Sequence, residues 1–384
     1  MTGDENPLSR RTLLASGAAL GVFLAGCSGT SDEPTPTTTP TPTPDGGNGP
    51  GGGTPTGTPT PTPAALESFD YPAGATRSGI DAARLLGTHE ATVTDAGSVT
   101  VMVEEETTYE NRTETLDRLD AFDSDSVYRR DVRDQVAERA WSPADESVTY
   151  VRMDVGDRRR YRIDDSGPGR SSIAGLEPFD ALLAGAAWGE ARAVVETLDG
   201  GTGVVYDATG VADEARLLEL LSGQVVTDLT ASVTVGAAGY VEEATYDLTV
   251  RRDGAVVART ATVTVTSLGE TTVPEPSWAN TARREGTRFD AGITSSEDFV
   301  RLELVNGADL PAQTTVLVTA DRAGSAAVGE TVTVGETVYA GFNEAGKLQV
   351  DVGSRPLTDV KLRGPVSVVV ELGRFTLFRG RFDL

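Results

Sequence analysis

Chemistry in this chain has few side chains to draw on. His89 is its only histidine and Cys27 its only cysteine, so a Ser-His-Asp or Cys-His device would have to be built on one imidazole. The sequence contains no Gly-x-Ser-x-Gly elbow, no His-Glu-x-x-His, no phosphate-binding glycine loop and no dinucleotide fingerprint. Asp120, Asp123 and Asp125 match the opening of a calcium loop but lack its glycine and closing glutamate. Glu104, Glu105 and Glu106 offer an acid and a base in principle, and in so acidic a chain a solvated face by default. His89 is expected to serve structure, near the C-terminal end of a first helix whose carbonyls it can meet. The expectation is a non-enzyme with no catalytic residue, metal or cofactor. Asn111-Arg112-Thr113 is a sequon that would place a glycan on Asn111. Trp141 stands in a polar stretch, is expected to be exposed, and is the aromatic to test for ligand contact.

The cysteine has a different use. Leu24-Ala25-Gly26-Cys27 follows Ser9-Arg10-Arg11-Thr12-Leu13-Leu14 and an apolar segment too short to stay in a bilayer as a helix. The arginine pair resembles the twin-arginine export motif, with Arg10 and Arg11 as the residues read. Leu-Ala-Gly-Cys resembles a lipobox, in which the peptide before the cysteine is cut and its thiol carries lipid. Residues 1–26 are therefore read as a signal peptide, and Cys27 as the anchor of a lipoprotein on the extracellular face of the membrane. No apolar run long enough to span a membrane follows Cys27.

Composition narrows the partners. The formal net charge is -25, and Lys347 and Lys361 are the only lysines among the 33 basic residues. Such a surface repels itself at low ionic strength, whereas about 1 M salt cuts the screening length to roughly 3 Å. That is a halophile's balance, and it excludes nucleic acid, whose phosphates need a basic patch. Arg158-Arg159-Arg160 is the one basic run, flanked by Asp157, Asp164 and Asp165, and is read as a solvated strand or hairpin edge rather than an anion site.

Residues 27–64 carry the lipidated cysteine and a Thr/Pro/Gly stalk. At about 3.1 Å per residue a proline-rich stalk reaches up to about 100 Å. Residues 65–282 read as strands with a few helices: helices over Ser78–His89, Leu176–Trp188 and Asp213–Leu221, and strands over Ser98–Thr107, Ser126–Val132, Ser147–Val155 and Arg158–Ile163. A hairpin over Ala191–Leu198 and Gly203–Ala208 follows. A closing meander alternates through Leu229–Val235, Tyr240–Arg251 and Val257–Val265. A sheet with one apolar face needs a cover, and the amphipathic helices are the only candidates. Residues 283–384 are all strand in period, with runs at Phe299–Val305, Thr314–Ala320, Glu330–Val334, Thr337–Phe342, Leu348–Val352, Asp359–Leu362, Val366–Leu372 and Phe375–Phe382. They read as an immunoglobulin-like β-sandwich.

Tyr71-Pro72-Ala73-Gly74, Ser78-Gly79-Ile80, the element order and the exit Val273-Pro274-Glu275-Pro276-Ser277-Trp278 together resemble the haloarchaeal lipoproteins with a LolA-like half-barrel. Mycobacterial lipid-carrying lipoproteins share that fold. The resemblance implies a mainly β, α+β chain: an antiparallel half-barrel whose helices line an apolar cavity, followed by the sandwich. Phe179, Leu182, Leu183, Leu217, Leu218 and Leu221 are the residues expected to line it. The functional expectation is a surface lipoprotein that binds a lipid or other apolar molecule. The alternative is a structural or adhesive lipoprotein whose helices fill the concavity, and an acidic-residue hydrolase comes third.

Overall fold

The computed structural model describes residues 63–177, 179–356 and 360–384. The chain begins with a short helix α1 (Pro63–Ser68) and a small ladder of β1 (Ala75–Thr76) and β2 (Gly79–Ile80). Helix α2 (Ala82–Ala96) opens at Asp81, not at Ser78: the Asp81 carboxylate accepts from the Arg84 amide at 3.1 Å. It closes at Gly97, whose φ of 75° suits a left-handed cap. The helix therefore runs past its expected end at His89. Thr88 and Thr92, poor helix formers, return their hydroxyls to the carbonyls four residues back at 2.9 and 2.8 Å. Leu85, His89 and Val93 form its buried stripe, so His89 sits mid-helix rather than at a terminus.

Six strands follow: β3 (Val99–Tyr109), β4 (Arg112–Phe122), β5 (Ser126–Arg133), β6 (Val136–Pro143), β7 (Thr149–Val155) and β8 (Arg158–Asp164). Next come α3 (Arg170–Ala174), α4 (Asp180–Gly185), β9 (Ala186–Glu196), β10 (Thr202–Val211) and α5 (Glu214–Leu220). The meander is β11 (Val225–Gly236), β12 (Val241–Arg252) and β13 (Ala255–Thr266). All eleven long strands belong to one antiparallel sheet, in the order β8-β7-β6-β5-β4-β3-β13-β12-β11-β10-β9. The meander is thus half of a larger sheet, joined to the first half where β13 pairs with β3.

The second expected helix is cut short at both ends, and its last residues, from Ala186, belong to a strand. Only Asp180–Gly185 is helical, and Trp188 pairs with Ala208 within β9 and β10. The Trp188 indole donates to the Leu183 carbonyl at 3.0 Å, which ties the start of β9 to α4. The third helix matches its expectation, capped by Asp213, which accepts from the amides of Ala215 and Arg216.

After α6 (Ala279–Glu285) come β14 (Arg288–Ile293), β15 (Val300–Asn306), β16 (Thr315–Thr319), β17 (Ala323–Ala327), β18 (Thr337–Phe342), β19 (Leu348–Val352), β20 (Val366–Leu372) and β21 (Phe375–Phe382). They form two four-stranded antiparallel sheets, β14-β15-β18-β19 and β17-β16-β20-β21. Glu330–Val334 is not a strand but a single bridge from Val332 to Leu310. Asp359 lies outside the described residues, and Leu362 is held by one hydrogen bond to Glu297 at 2.8 Å without joining a sheet. Strand β17 has no apolar alternation, being built of Ala, Gly and Ser, and at Gly324 the space is closed: a Cβ there would meet Phe342 and Leu348 at 3.0 Å.

Three apolar clusters hold these layers. One joins α2–α5 to β9–β13 and β3. The second fills the two small sheets and also takes Ala140, Val151, Met153 and Val155 from β6 and β7. The third packs Trp141 and Tyr150 against Trp278, Ala279 and Ala282. Arg162 links the first sheet to the last strand: only 8% exposed, it pairs with Glu138 and Asp164 and donates to the Thr376 carbonyl at 2.9 Å.

Candidate functional site

Strand pairing assigns the side chains to faces. Val101, Asp120, Arg129, Ala140 and Val151 lie opposite one another on successive strands, as do Val103, Arg118, Asp131 and Glu138. Both rows therefore lie on the face that β3 and β9–β13 turn toward the helices. Along this covered face an apolar roofed zone gives way to charge, and then to the apolar residues of β6 and β7 that belong to the second core.

In the roofed zone Phe179, Leu182, Leu183, Leu217 and Leu221 are between 0 and 4% exposed, and Leu218 is half-buried against the same cluster. Phe179 stands 6.1 Å from the Tyr246 ring. A Cβ on Gly185 would come within 2.6 Å of the Leu217 side chain, so α4 and α5 meet without spare room. Cavities of about 310, 240 and 180 Å³ occur among the described residues, and none is lined by any of these six side chains. The helices occupy the space expected for a ligand, each buried leucine contributing about 1.5–3 kcal/mol.

His89 faces the same core. Its Nδ1 accepts from the Val241 amide at 3.0 Å, and a hydrogen bond joins it to the Ala174 backbone. Burial pushes its pKa down to about 4 against the smaller opposing effect of the Ala174 contact. The imidazole is thus neutral, buried and committed to backbone. Next to Val241, Glu242 is pushed up to about 7, first by burial and then by the charge of Asp199. The Tyr240 hydroxyl donates to Asp199 at 2.9 Å.

The charged zone is built from cross-strand pairs. Arg129 grips Asp120 through two hydrogen bonds of 2.5 and 3.0 Å, and Arg118 meets Asp131 at 2.7 Å. Arg259 donates to Thr107 at 3.0 Å and to the Leu220 carbonyl at 2.8 Å, and lies 3.5 Å from Glu105. The 240 Å³ cavity opens here, between Glu105, Thr107, Glu114, Leu116, Arg133 and Arg259. Arg133 joins no ion pair among the described residues. Beside this zone the Tyr246 hydroxyl is buried without a hydrogen-bond partner. The arrangement can hold a polar or charged group, and it lacks an activated nucleophile.

Other residues marked in the sequence are scattered. Trp141 is 5% exposed, which corrects its expected exposure: Arg283 covers its ring at 5.4 Å and Tyr150 stacks on it at 6.1 Å. Asp120 is in its ion pair, whereas Asp123 accepts from the amides of Asp125, Ser126 and Val273, closing a turn. Among the described residues no group of three potential ligands is placed to hold a metal. Glu105 faces Arg259 while Glu104 and Glu106 point outward, exposed. Asn111 is exposed in the β3–β4 turn. Cys27, Arg10 and Arg11 lie outside the described residues. The charged zone itself went unread, although Arg118-x-Asp120 and Arg129-x-Asp131 are a legible signal: opposite charges two apart on adjacent strands match in antiparallel register.

Comparison with known proteins adds little about activity. No curated protein matches the chain. Among solved structures the chain is similar to a domain assigned as an outer membrane lipoprotein-sorting protein from Vibrio parahaemolyticus, at 12% identity over 52% of this chain and 98% of that one, with a TM-score of 0.20. A DUF1329 family protein from Desulfovibrio piger aligns at 10% identity over 50% and 93%, TM-score 0.19. The MucA/MucB complex structure from Pseudomonas aeruginosa aligns at 13% over 76% and 95%, TM-score 0.19. Overlaps this loose carry no argument. No helix among the described residues is long and apolar enough to cross a membrane. A family model matches residues 14–282, and by it the chain belongs to the family of unknown function DUF7537.

Proposed function

We propose that this is a non-catalytic lipoprotein, exported by the twin-arginine route in a haloarchaeal cell. Cys27 anchors it to the outer face of the membrane, and the stalk raises it. Its body is a LolA-like open sheet with a filled roof followed by an immunoglobulin-like sandwich, and it serves surface architecture or adhesion. One observation carries this reading: Phe179, Leu182, Leu183, Leu217 and Leu221 are sealed at 0–4% exposure against the sheet. The His89 geometry supports the absence of catalysis, since a base held neutral with its imidazole tied to backbone has no proton task near neutral pH. The order β14-β15-β18-β19 facing β17-β16-β20-β21 supports the sandwich, and the net charge of -25 supports the halophilic setting.

A second reading, carriage of a lipid or other apolar ligand, is favoured by the roof's construction. Helices α3, α4 and α5 have 5, 6 and 7 residues. On the sheet beneath them, Tyr246 of β12 buries a hydroxyl that has no hydrogen-bond partner. Helices this short owe their order to packing and are displaced at low cost. Native mass spectrometry of the full chain with archaeal lipid separates the two readings. The filled roof predicts no adduct, and a Leu183→Trp variant destabilised by about 1–3 kcal/mol through overpacking. A stoichiometric lipid adduct that Leu183→Trp abolishes would overturn it in favour of carriage.

A further inference from the structure

A cavity of about 310 Å³ lies away from the roof, at the free edge of β8 where the long sheet meets the last hundred residues. That edge is bridged by Thr287, which donates its amide to the Tyr161 carbonyl and accepts from the Ile163 amide, each at 2.9 Å. The backbone around the cavity is pinned. The Asn306 side chain donates to the Gly286 carbonyl at 2.7 Å. Gly307, at φ 118°, is pressed so close that a Cβ would stand 2.8 Å from the Thr287 Cα. These walls are set before any ligand arrives, which lowers the cost of binding.

The three arginines of the one basic run do different things here. Arg158 lies over the Phe375 ring at 5.8 Å, and Arg159 is paired to Asp154 at 2.8 Å. Arg160 lines the cavity and joins no ion pair among the described residues. Arg284 lines it too, held only to its neighbour Glu285 at 3.3 Å with 71 and 58% of the two side chains exposed. A pair so exposed contributes little and yields readily to a better acceptor. Leu310, Leu372 and Leu377 supply an apolar floor. In a chain of net charge -25, a pinned cavity lined by three arginines, one of them paired to Asp154, and a single glutamate is a local excess of positive charge. Guanidinium groups match tetrahedral oxyanions in a planar, multidentate way that salt does not erase as it erases a bare point charge.

We propose that this cavity is a binding site for a small organic oxyanion, a sulfate or phosphate monoester. Arg160 and Arg284 receive the anionic head, and the organic body rests on the leucine floor. The size suits a compact organic ligand, at the lower end of the roughly 300–1,000 Å³ usual for such sites.

Equilibrium dialysis of the full chain tests this, in high potassium chloride, with 4-nitrophenyl sulfate and 4-nitrophenyl phosphate as separate probes and inorganic sulfate as competitor. Saturable binding of one ester per chain is expected, with inorganic sulfate competing at least tenfold more weakly because it leaves the leucine floor unused. The ester that binds more tightly identifies which source of the anion the site prefers. Arg160→Gln and Arg284→Gln should each weaken binding at least tenfold. Arg160→Gln removes no ion pair, so its melting temperature should match the parent's and its binding loss can be read directly. Failure of both esters to saturate, or Arg160→Gln binding within twofold of the parent, would overturn the proposal.

Discussion

Acid should loosen this protein through one side chain. His89 is 1% exposed, and its folded pKa is about 4 where an unfolded chain holds its histidine near 6.5. The folded state binds the proton more weakly, so His89 costs nothing above pH 6.5 and destabilises progressively as the pH falls toward 4. A gap of about 2.5 units is worth about 3 kcal/mol well below both values, with about 2 kcal/mol already lost at pH 5. Carboxylates titrate over the same range, so the parent is compared with His89→Gln, whose amide can still accept from the Val241 backbone. In urea denaturation at constant high salt, the parent should lose about 2 kcal/mol relative to the variant between pH 8 and pH 5. Proton NMR gives an independent check, because the chain has a single histidine and its ring signals need no assignment. They should stay unmoved from pH 8 to pH 5 in the folded protein. A ring titrating near 6.5, or a parent-to-variant gap that is flat with pH, would refute the assignment of His89 as a buried neutral group.

Glu242 should act with the opposite sign: its folded pKa is raised to about 7, so its contribution is whole below the unfolded value and lost as the pH rises through 7. Glu242→Gln should therefore gain on the parent between pH 4.5 and pH 8, measured by thermal melts in the same buffers. Cys27→Ser should move the protein from the membrane fraction to the soluble one after a high-salt wash, as read by immunoblot. Replacing Arg10 and Arg11 by lysine should block export while keeping the charge, and normal surface levels of that variant would exclude the route. With a net charge of -25, the folded protein should lose melting temperature when salt drops from 3 M to 0.05 M potassium chloride, where screening reaches only beyond about 10 Å.

Where local pattern and tertiary demand agreed, the sequence was readable. The meander over β11–β13 alternates cleanly because one face is buried, and α5 carries both its Asp213 cap and its leucine stripe. Strands β4 and β6 were hidden because their apolar positions give way to charge: Arg118 and Asp120 occupy core-facing positions of β4 and are satisfied only by Asp131 and Arg129 across the ladder. A partner on another strand is invisible to a local window. The stretch from Leu176 to Trp188 failed for a related reason, since its apolar residues are shared between a single helical segment and the start of β9. The first helix runs past His89 because Thr88 and Thr92 bond back along it, and it closes at Gly97. The charged zone left one trace along the chain, the matched spacings Arg118-x-Asp120 and Arg129-x-Asp131, and strand register turns that trace into pairs.

The sharing of the second core has a consequence for how the chain is made. Val151, Met153 and Val155 of β7 share one buried core with Leu302, Val368 and Leu377, which are synthesised much later. During synthesis that strip waits uncovered in water while more than a hundred further residues emerge. Vectorial folding from the amino end is therefore blocked: the early sheet cannot reach its final state until the terminal hairpin has left the ribosome. A truncated product would carry an exposed greasy flank, a mark by which a cell can tell an unfinished copy from a finished one.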